Sequence, residues 1–511
     1  MKNLNYLLGI DFGGGASKAT LLCENGEIAA ENTVEYPTLH PFAGACEQRP
    51  EDWMEALRRN IGAILAQSGI SPKQIACVAL DSATHTAVLC DEGKKPLRPA
   101  IHWTDSRSIL QAQRLREPGM EWIPEIAYHK PDPIWTLPQL LWVREEEPET
   151  FRALRYLFFE KDYIRYQLTG VYCTDYIEAQ GSMLYDLKKQ DWSDELCALA
   201  GITRSMLPPL KKPTDVIGTI LPKAAEITGL AEGTPVICGT TDTVLEIFAA
   251  GVVKPGQMTV KLATAGRICV VSEKAFPHPQ LINYSHIIPG LWYPGTATKS
   301  CAASYRWYRD TFGETYDLLN EKAKEVPPGA EGLMFHPYLN GELTPYGDPK
   351  LCGSFVGIRA IHEKKHFTRA VLEGISMSLS DCMETIREIG MQPGEEGILI
   401  GGGAKGALWR QITADMLGIT LKTTASSDSS LGAAMLAGVA MGIFADYEQA
   451  AETCVKITGI TKSNPENTEF YREQYRKYKQ VHDALAQVYH NDYSVKRSDP
   501  TCACTAVGEK P

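Results

Sequence analysis

The sequence predicts an α/β protein whose two related halves face a shared cleft. Strand-like and helix-like segments alternate along the chain, which favours α/β architecture. A unit of strand, small-residue turn and loop recurs near residues 10, 240, 264 and 402. At 511 residues the chain is also too long for a single hydrophobic core. We therefore expect two domains, residues 1–255 and 256–490, which meet near the turn at Pro255-Gly256.

The first half opens with YLLGID, a short apolar run that predicts a strand, and GEIAAENTVEY would continue it as a hairpin or meander. IACVALDS and PVICGTTD predict two more buried strands, since each apolar run ends in small polar residues. In the second half, ILIGGGAKGALWRQITADMLG predicts a strand, a glycine turn and a helix. A further amphipathic helix is predicted from the helical spacing of Val371, Ile375, Leu379, Cys382 and Ile386.

Charge and composition exclude several classes of partner. A formal net charge of −11 argues against nucleic acid or an anionic membrane as partner. The N-terminus lacks the pattern of a signal peptide, and the apolar run 431–445 is too short to span a membrane, so it predicts a tightly packed buried helix. The scattered cysteines are predicted to be reduced and structural in a cytoplasmic protein, with a metal role for Cys502-Ala503-Cys504 left open. Residues 491–511 contain little apolar content and predict a disordered tail.

Three consecutive glycines, Gly13, Gly14 and Gly15, follow the first predicted strand. Backbone N–H groups of such a turn can surround phosphate oxygens, which any Cβ would obstruct. Asp11 at the strand end could hold Mg²⁺, and Lys18 could supply positive charge to the phosphates. The alternative is a plain hairpin turn with glycines for positive φ.

Two loops in the second half strengthen the phosphate interpretation. Thr264 and Gly266, in KLATAGR, again place a hydroxyl and bare backbone after a strand. The strand-to-helix turn later in the chain offers a flat backbone surface for a nucleobase or phosphate, from Gly401, Gly402, Gly403 and Ala404. Together the three loops predict an ATP cleft between the halves.

Asp242 is the predicted catalytic residue. It stands at a strand end among three threonines, in CGTTDTV. A carboxylate there could take the proton of an alcohol that attacks a phosphoryl group, and with Asp11 it is a candidate metal ligand. The alternative is a helix N-cap ahead of TVLEIFAAG, and the two roles are compatible.

In this order, the motifs resemble those of the FGGY family of carbohydrate kinases, within the superfamily of sugar kinases, Hsp70 and actin. The resemblance spans residues 6 to about 450. LLGIDFGGGASKATLL resembles the family's first phosphate loop, and ACEQRPEDW its EQ-x-P-x-x-W element. ALDSATHTAVLCDEGKKPLRPAIHWTDSRS resembles a sugar-side segment that commonly reads G-Q-M-H-G…LDEDG…LRPAILWNDxR. MLYD and the late glycine segment most resemble xylulokinases. The resemblance implies two actin-like, ribonuclease H-like domains that flank an ATP and sugar cleft.

The resemblance further implies phosphorylation of a small sugar hydroxyl by ATP with Mg²⁺. A ketopentose such as D-xylulose is the first candidate, and gluconate, a deoxy-ketose or a tetritol are the alternatives. The implied substrate contacts are Thr84, His85, Trp103, Asp105 and Asp242. Core packing remains the alternative for His85 and Trp103, and helix capping for Asp105. A homodimer is left open as the oligomeric state.

The chain departs from the family at two places. Gly14 and Gly15 replace the usual hydroxyl residues, which leaves a non-catalytic nucleotide-binding regulator as one alternative. An actin-like or chaperone ATPase is another, although it would not need the sugar-side segment. Ala83 and Thr84 replace the Gln and Met that are usual in xylulokinases, which leaves the sugar open. We expect an active kinase because four functional positions remain: Asp11, Lys18, Asp242 and Thr264.

Overall fold

The computed structural model describes residues 5–491. The strands of the first half are β1 (Tyr6–Phe12), β2 (Ala16–Cys23), β3 (Ile28–Glu35), β4 (Glu47–Gln48), β5 (Ile75–Ser82), β6 (Ala87–Cys90), β7 (Ala100–Ile101), β8 (Tyr156–Phe159), β9 (Thr174–Asp175), β10 (Tyr185–Asp186), β11 (Asp191–Trp192), β12 (Leu210–Lys211), β13 (Val216–Thr219), β14 (Pro235–Ile237) and β15 (Thr240–Thr241). Its helices are α1 (Pro50–Ser68), α2 (Ile109–Arg114), α3 (Trp122–Ala127), α4 (Thr136–Glu146), α5 (Pro148–Ala153), α6 (Glu160–Thr169), α7 (Tyr176–Gly181), α8 (Asp194–Ala200), α9 (Pro222–Thr228) and α10 (Asp242–Ala249).

The strands of the second half are β16 (Met258–Leu262), β17 (Gly266–Val270), β18 (Gly295–Ala297), β19 (Met334–His336), β20 (Ser354–Val356), β21 (Glu396–Ile400), β22 (Thr420–Thr424) and β23 (Ile457–Thr461). Its helices are α11 (Ala302–Phe312), α12 (Tyr316–Ala323), α13 (Lys364–Glu388), α14 (Ala407–Leu417), α15 (Ser429–Ala440), α16 (Tyr447–Cys454) and α17 (Pro465–His490). The two helices predicted from apolar spacing in this half correspond to α13 and α14.

Each half is built on one mixed sheet, and the two sheets repeat the same plan. The first has the order β13-β14-β5-β1-β2-β3, with β15 also paired to β5. The second has the order β18-β17-β16-β21-β22-β23. In the first sheet β1 pairs antiparallel with β2 and parallel with β5, and in the second β16 pairs antiparallel with β17 and parallel with β21. The turns at residues 13–15 and 263–265 are therefore equivalent, which confirms the prediction of two related α/β halves.

Helix α15 follows the second sheet in the chain but packs against the first. It contacts β1, β2 and β5 as well as α10, and its residues 430–438 are buried. Two glycines permit the close approach: a Cβ at Gly9 would lie 2.0 Å from the Ser430 carbonyl oxygen, and one at Gly432 would lie 2.2 Å from that of Leu245. The stretch predicted as residues 256–490 thus supplies part of the first half's core, as its alanines and glycines allow.

Several predictions concern the whole chain or its end. Among residues 5–491 no helix is long and apolar enough to cross a membrane. The cysteines in that range are free, and all except Cys352 are buried. Residues 492–511, with nearly all of the predicted tail and with Cys502 and Cys504, lie outside the described residues.

A buried carboxyl group in the second half gives a testable pH dependence. Burial raises the pKa of Asp381, on α13, to about 7, and Tyr475 and Tyr346 donate hydrogen bonds to it. Because its pKa is raised in the folded state, its contribution to stability is complete below about pH 4 and is lost as pH rises through 7. Relative to wild type, Asp381→Asn should therefore gain at least about 2 °C in Tm between about pH 5 and pH 8. Scanning calorimetry would measure this, and an equal difference at both pH values would contradict it.

Candidate active site

The turn of three glycines between β1 and β2 is held in place by its carbonyl oxygens. Tyr36 donates its hydroxyl to the Gly13 oxygen and its backbone N–H to the Gly15 oxygen, and Thr38 Oγ1 donates to the Gly14 oxygen at 2.7 Å. The Gly13 N–H closes the turn onto the Ala16 oxygen at 2.9 Å. Within the described part of the chain, no hydrogen-bond acceptor is found for the N–H groups of Gly14 and Gly15. Two backbone donors at a fixed turn are therefore available to an anion.

Asp11 does not stand alone at the end of β1. Its register partner on the parallel strand β5 is Asp81. Both carboxylate oxygens of Asp81 are buried without a hydrogen-bond partner among residues 5–491. Burial raises the pKa of Asp11 to about 7, and burial together with the charge of Asp11 raises the pKa of Asp81 well above its ordinary value. Two adjacent buried carboxylates require a proton or a cation between them.

This pair fits a magnesium ion, and it adds Asp81 to the Asp11 and Asp242 predicted from the sequence, since the charge of Asp242 raises the pKa values of both Asp11 and Asp81. In nucleotide sites Mg²⁺ takes one or two carboxylates and completes its shell with phosphate oxygens and water. Asp11 and Asp81 offer that donor set, since the oxygens of Asp81 are unpartnered. No group of three or more histidine, cysteine or acidic side chains in residues 5–491 has the geometry of a metal site.

Lys18 is already engaged by two carboxylates. Its Nζ lies 2.9 Å from Glu31 Oε1 and also pairs with Asp428, which precedes α15. Lys18 faces Asp11 across the β1–β2 pair. An ammonium group has three N–H donors, so one donor of Lys18 remains for the predicted phosphate contact, although the two carboxylates offset its charge.

Asp242 is the first residue of α10, and its two carboxylate oxygens differ. Oδ1 accepts hydrogen bonds from the Thr243 N–H at 2.6 Å, the Thr243 hydroxyl at 3.1 Å and the Thr84 hydroxyl at 3.2 Å. No donor to Oδ2 is found in residues 5–491. Burial raises the pKa of Asp242, which strengthens it as a base. The N-cap of α10 is Thr241, so the helix-cap alternative applies to Asp242 only through its bond to the Thr243 N–H in the first turn.

A buried ionic network lies behind Thr84 and His85. Lys161 Nζ lies 2.9 Å from Asp175 and 3.8 Å from Glu178, and all three side chains are fully buried. Glu178 accepts the backbone N–H of His85, and Asp175 accepts the hydroxyl of Thr240 at 2.8 Å. One network thus positions both the sugar-side segment and the strand that leads to Asp242.

His85 lines an aromatic wall with Trp135, His129 and Tyr284, of which the sequence did not single out His129 and Tyr284. Its ring centroid lies 4.9 Å from that of Trp135, and the ring of His129 lies 4.5 Å from Trp135 on a stacked face and 5.3 Å from Tyr284. Burial lowers the pKa values of His85 and His129 to about 3, so both rings are neutral at pH 7. His85 Nδ1 and both ring nitrogens of His129 are buried without a partner in the described residues. Such unpaired groups mark a wall that a polar ligand can complete.

Trp103 and Asp105 lie in different environments although they are two residues apart. Trp103 is 42% exposed, so it is not a core residue. The buried Asp105 accepts the Cys46 N–H at 2.6 Å and pairs with Arg107 at 2.8 Å, and these contacts occupy the oxygens that the sequence assigned to substrate.

His102, which directly precedes Trp103, borders the glycine turn. A Cβ at Gly14 would lie 3.4 Å from His102 Cε1 and 3.5 Å from Nε2. The ring is buried, its Nε2 has no partner in residues 5–491, and burial lowers its pKa to about 4. The space for a hydroxyl side chain at position 14 is therefore bounded by an imidazole.

The loops of the second half divide into exposed and packed positions. Thr264 is exposed at the tip of the β16–β17 turn. Gly266, in contrast, donates its N–H to Thr298 Oγ1 at 3.0 Å, and a Cβ there would lie 3.0 Å from Leu379. Its backbone is thus occupied by packing, which differs from the predicted phosphate contact.

The glycine turn at residues 401–404 also has both exposed and packed positions. A Cβ at Gly401 would lie 2.7 Å from the Leu262 oxygen and one at Gly403 would lie 2.7 Å from Leu262 Cβ, so both glycines allow the turn to pack on β16. Gly402 faces open space, and Ala404 accepts a hydrogen bond from Arg410 at 2.7 Å. Of the four positions predicted to form a bare surface for a nucleobase, only Gly402 is therefore open.

Known proteins resemble this chain over nearly all of its length. Residues 6–249 match the model of the N-terminal domain, and residues 259–441 that of the C-terminal domain, of the FGGY family of carbohydrate kinases. A xylulose kinase of Bacillus subtilis (strain 168) is 32% identical over 94% of this chain and 97% of its own. A gluconokinase of the same organism is 30% identical over 88% of this chain and 90% of its own. The crystal structure of xylulose kinase from Rhodospirillum rubrum superposes with a TM-score of 0.88 at 27% identity, over 95% of this chain and 100% of its own.

Proposed function

The chain belongs to the FGGY family of carbohydrate kinases, and from this premise we propose that it transfers the γ-phosphoryl group of ATP to one hydroxyl of a small sugar, with Asp242 as the base. The observation that carries the proposal is the asymmetry of the Asp242 carboxylate. Three hydrogen bonds fix Oδ1, while Oδ2 has no donor among residues 5–491. A base needs one oriented, unoccupied oxygen at the reacting hydroxyl.

Asp242 would accept the proton of the sugar hydroxyl as that oxygen attacks phosphorus. Thr84 and Thr243 keep the carboxylate from rotating, so the free oxygen stays aimed at its substrate. The raised pKa of Asp242 brings the base closer to neutral pH, where proton transfer is most favourable. Closure of the halves would exclude water, which otherwise competes as acceptor.

Asp11 and Asp81 would hold Mg²⁺, whose chemistry is to neutralise charge on the phosphates. The N–H groups of Gly14 and Gly15 would donate to phosphate oxygens, since the carbonyl oxygens of that turn are tied back by Tyr36 and Thr38. Backbone donors of this kind make a phosphate cradle possible without the hydroxyl residues that are usual in the family. Retention of Asp242 argues against a non-catalytic regulator.

The acceptor has two candidates. A ketopentose such as D-xylulose is the first candidate, because the sequence motifs resemble those of xylulokinases and because several relatives are named xylulose kinase. A sugar acid such as gluconate is second, because a gluconokinase is similarly related and because Ala83 and Thr84 depart from the xylulokinase pattern. Cytoplasmic location and a homodimer stay predictions.

Release of ADP tests the proposal directly. The protein with Mg²⁺ and ATP is offered a panel of ketoses, polyols and sugar acids, and initial rates are compared with the rate without acceptor. We expect at least one acceptor to raise ADP release by about 10²-fold or more, and a phosphosugar to accumulate in equal amount. ADP release that no acceptor stimulates would contradict a sugar kinase and favour the regulator or the ATPase.

A further inference from the structure

Arg267 is a half-buried cation without an anion partner in residues 5–491. It lies on β17 directly opposite Lys261 of β16, and like charges in such positions are destabilising unless anions compensate them. Lys261 is compensated, since its Nζ lies 2.6 Å from Glu246. Within residues 5–491 Arg267 forms no ion pair, and its Nε and Nη2 are buried without hydrogen-bond partners. Arginine does not lose its proton in proteins, so the site keeps a full positive charge.

A guanidinium with buried, unpaired nitrogens costs free energy that folding alone does not recover. Glu246 is the carboxylate whose charge acts on Arg267, but it is already engaged by Lys261. A ligand anion would remove the cost, and a planar carboxylate matches the fork of the guanidinium. The uncompensated positive charge of Arg267 therefore indicates a substrate with negative charge.

The position of Arg267 places this charge at the acceptor wall. A Cβ at Gly295 would lie 3.3 Å from Arg267 Nε, and Gly295 is two residues after Tyr293, whose ring stacks on that of Tyr284 at 5.8 Å. Tyr284 contacts His129, which reaches His85 through Trp135. His129 is 1% exposed, and both of its ring nitrogens are buried without a partner in the described residues. The wall thus contains several donors that lack acceptors.

The acceptor wall approaches the catalytic base, Asp242, around Gly181. A Cβ there would lie 2.7 Å from His85, 2.9 Å from Thr84 and 3.0 Å from the Tyr284 hydroxyl, so these three groups converge on one point. Thr84 in turn donates to Asp242. A small acceptor could therefore have a hydroxyl at Asp242 and an anionic group toward Arg267.

We propose that Arg267 and His129 form a carboxylate subsite, so that the acceptor is a sugar acid rather than a neutral ketose. The inference rests on the proposed kinase function and narrows its acceptor to the second candidate. The transferring phosphoryl group is the other anion that enters the cleft. Contact with the His129 and Tyr284 wall favours the acceptor carboxylate, and the experiment separates the two sources.

The test compares D-gluconate, other aldonates and uronates with D-xylulose in wild type and Arg267→Met. Methionine keeps the length and removes the charge. We expect wild type to prefer one of the sugar acids by about tenfold or more, and the variant to lose about 10- to 150-fold in kcat/KM for that acid. For D-xylulose and for ATP we expect changes below about threefold. Arg267→Lys should retain part of the selectivity, since it keeps the charge without the fork.

Lys261→Met is the matched control. It removes the neighbouring cation that is already paired with Glu246, so it should change both acceptor classes alike. Loss of activity on acid and ketose in equal measure in Arg267→Met, together with weaker ATP binding, would overturn the proposal and assign Arg267 to the phosphoryl group. Activity of wild type on D-xylulose but on no sugar acid would also overturn it.

Calorimetric measurement of acceptor binding tests the carboxylate subsite independently of kinase activity. Binding of the sugar acids to the protein with Mg²⁺ and ADP needs no phosphoryl transfer. Binding to wild type that disappears in Arg267→Met supports the subsite even if no acceptor stimulates ADP release. Absence of sugar-acid binding to wild type would overturn the subsite even if D-xylulose is phosphorylated.

Discussion

Asp242→Asn is expected to lower kcat by about 10²–10⁴-fold and to change ATP affinity by less than about twofold. Asparagine keeps the size of the side chain and can still accept from Thr243 and Thr84, so the local structure should hold. What it loses is the basic oxygen that takes the proton. Steady-state kinetics with the best acceptor, and calorimetry with ATP, measure the two effects.

Glu246→Gln is the matched control for this variant. Glu246 lies one turn further along α10 and pairs with Lys261, so its neutralisation should lower kcat by less than about tenfold. Because burial raises the pKa of Asp242, the acidic limb of the wild-type kcat/KM profile should lie above the ordinary aspartate pKa. A loss below about tenfold in Asp242→Asn, with unchanged melting, would assign this residue to helix capping.

His85→Ala is expected to lower kcat/KM for the best acceptor by about 10- to 150-fold. Its Nδ1 is buried without a partner within residues 5–491, so a substrate hydroxyl is the natural complement. ATP hydrolysis without sugar should not change, because the phosphate turns are built from other segments. Epimers or deoxy analogues that lack the contacted hydroxyl should be discriminated by wild type and not by the variant.

Backbone strain calls for a second variant at this position. His85 has a φ of 57°, a conformation that asparagine tolerates better than alanine. His85→Asn should therefore melt closer to wild type than His85→Ala does. His286 serves as a control, since it is buried and both of its ring nitrogens are hydrogen-bonded. If His85→Ala loses equally on every sugar and melts several degrees lower, as His286→Ala should, His85 is a core residue.

The fold could be predicted from the sequence because local residue patterns specify most of its strands and helices. Apolar runs that end in small polar residues became β1, β5 and β14, and helical spacing became α13 and α14. The repeated strand and turn units correspond to equivalent positions in two sheets. Family membership followed from the order of these motifs and is confirmed over both domains.

The site was less predictable because its pairings join distant segments. Asp81 had a usable signal, since its strand ends in Asp-Ser beside a parallel strand that ends at Asp11. Arg267 and His129 had none, because an unpaired charge is visible only once all of its neighbours are known. The same reason applies to Lys18, whose acidic partner Asp428 lies 410 residues away.

The crossing of α15 limits how this protein can be divided into fragments. A fragment that ends near residue 255 would contain the strands of the first sheet but not the helix that covers β1. Gly9 would then leave a bare strip on that sheet, flanked by apolar side chains that α15 normally shields. Such a fragment should aggregate when expressed alone and become soluble when a peptide of residues 425–445 is supplied in trans. We therefore expect the two halves to fold only together, although two family models match them separately.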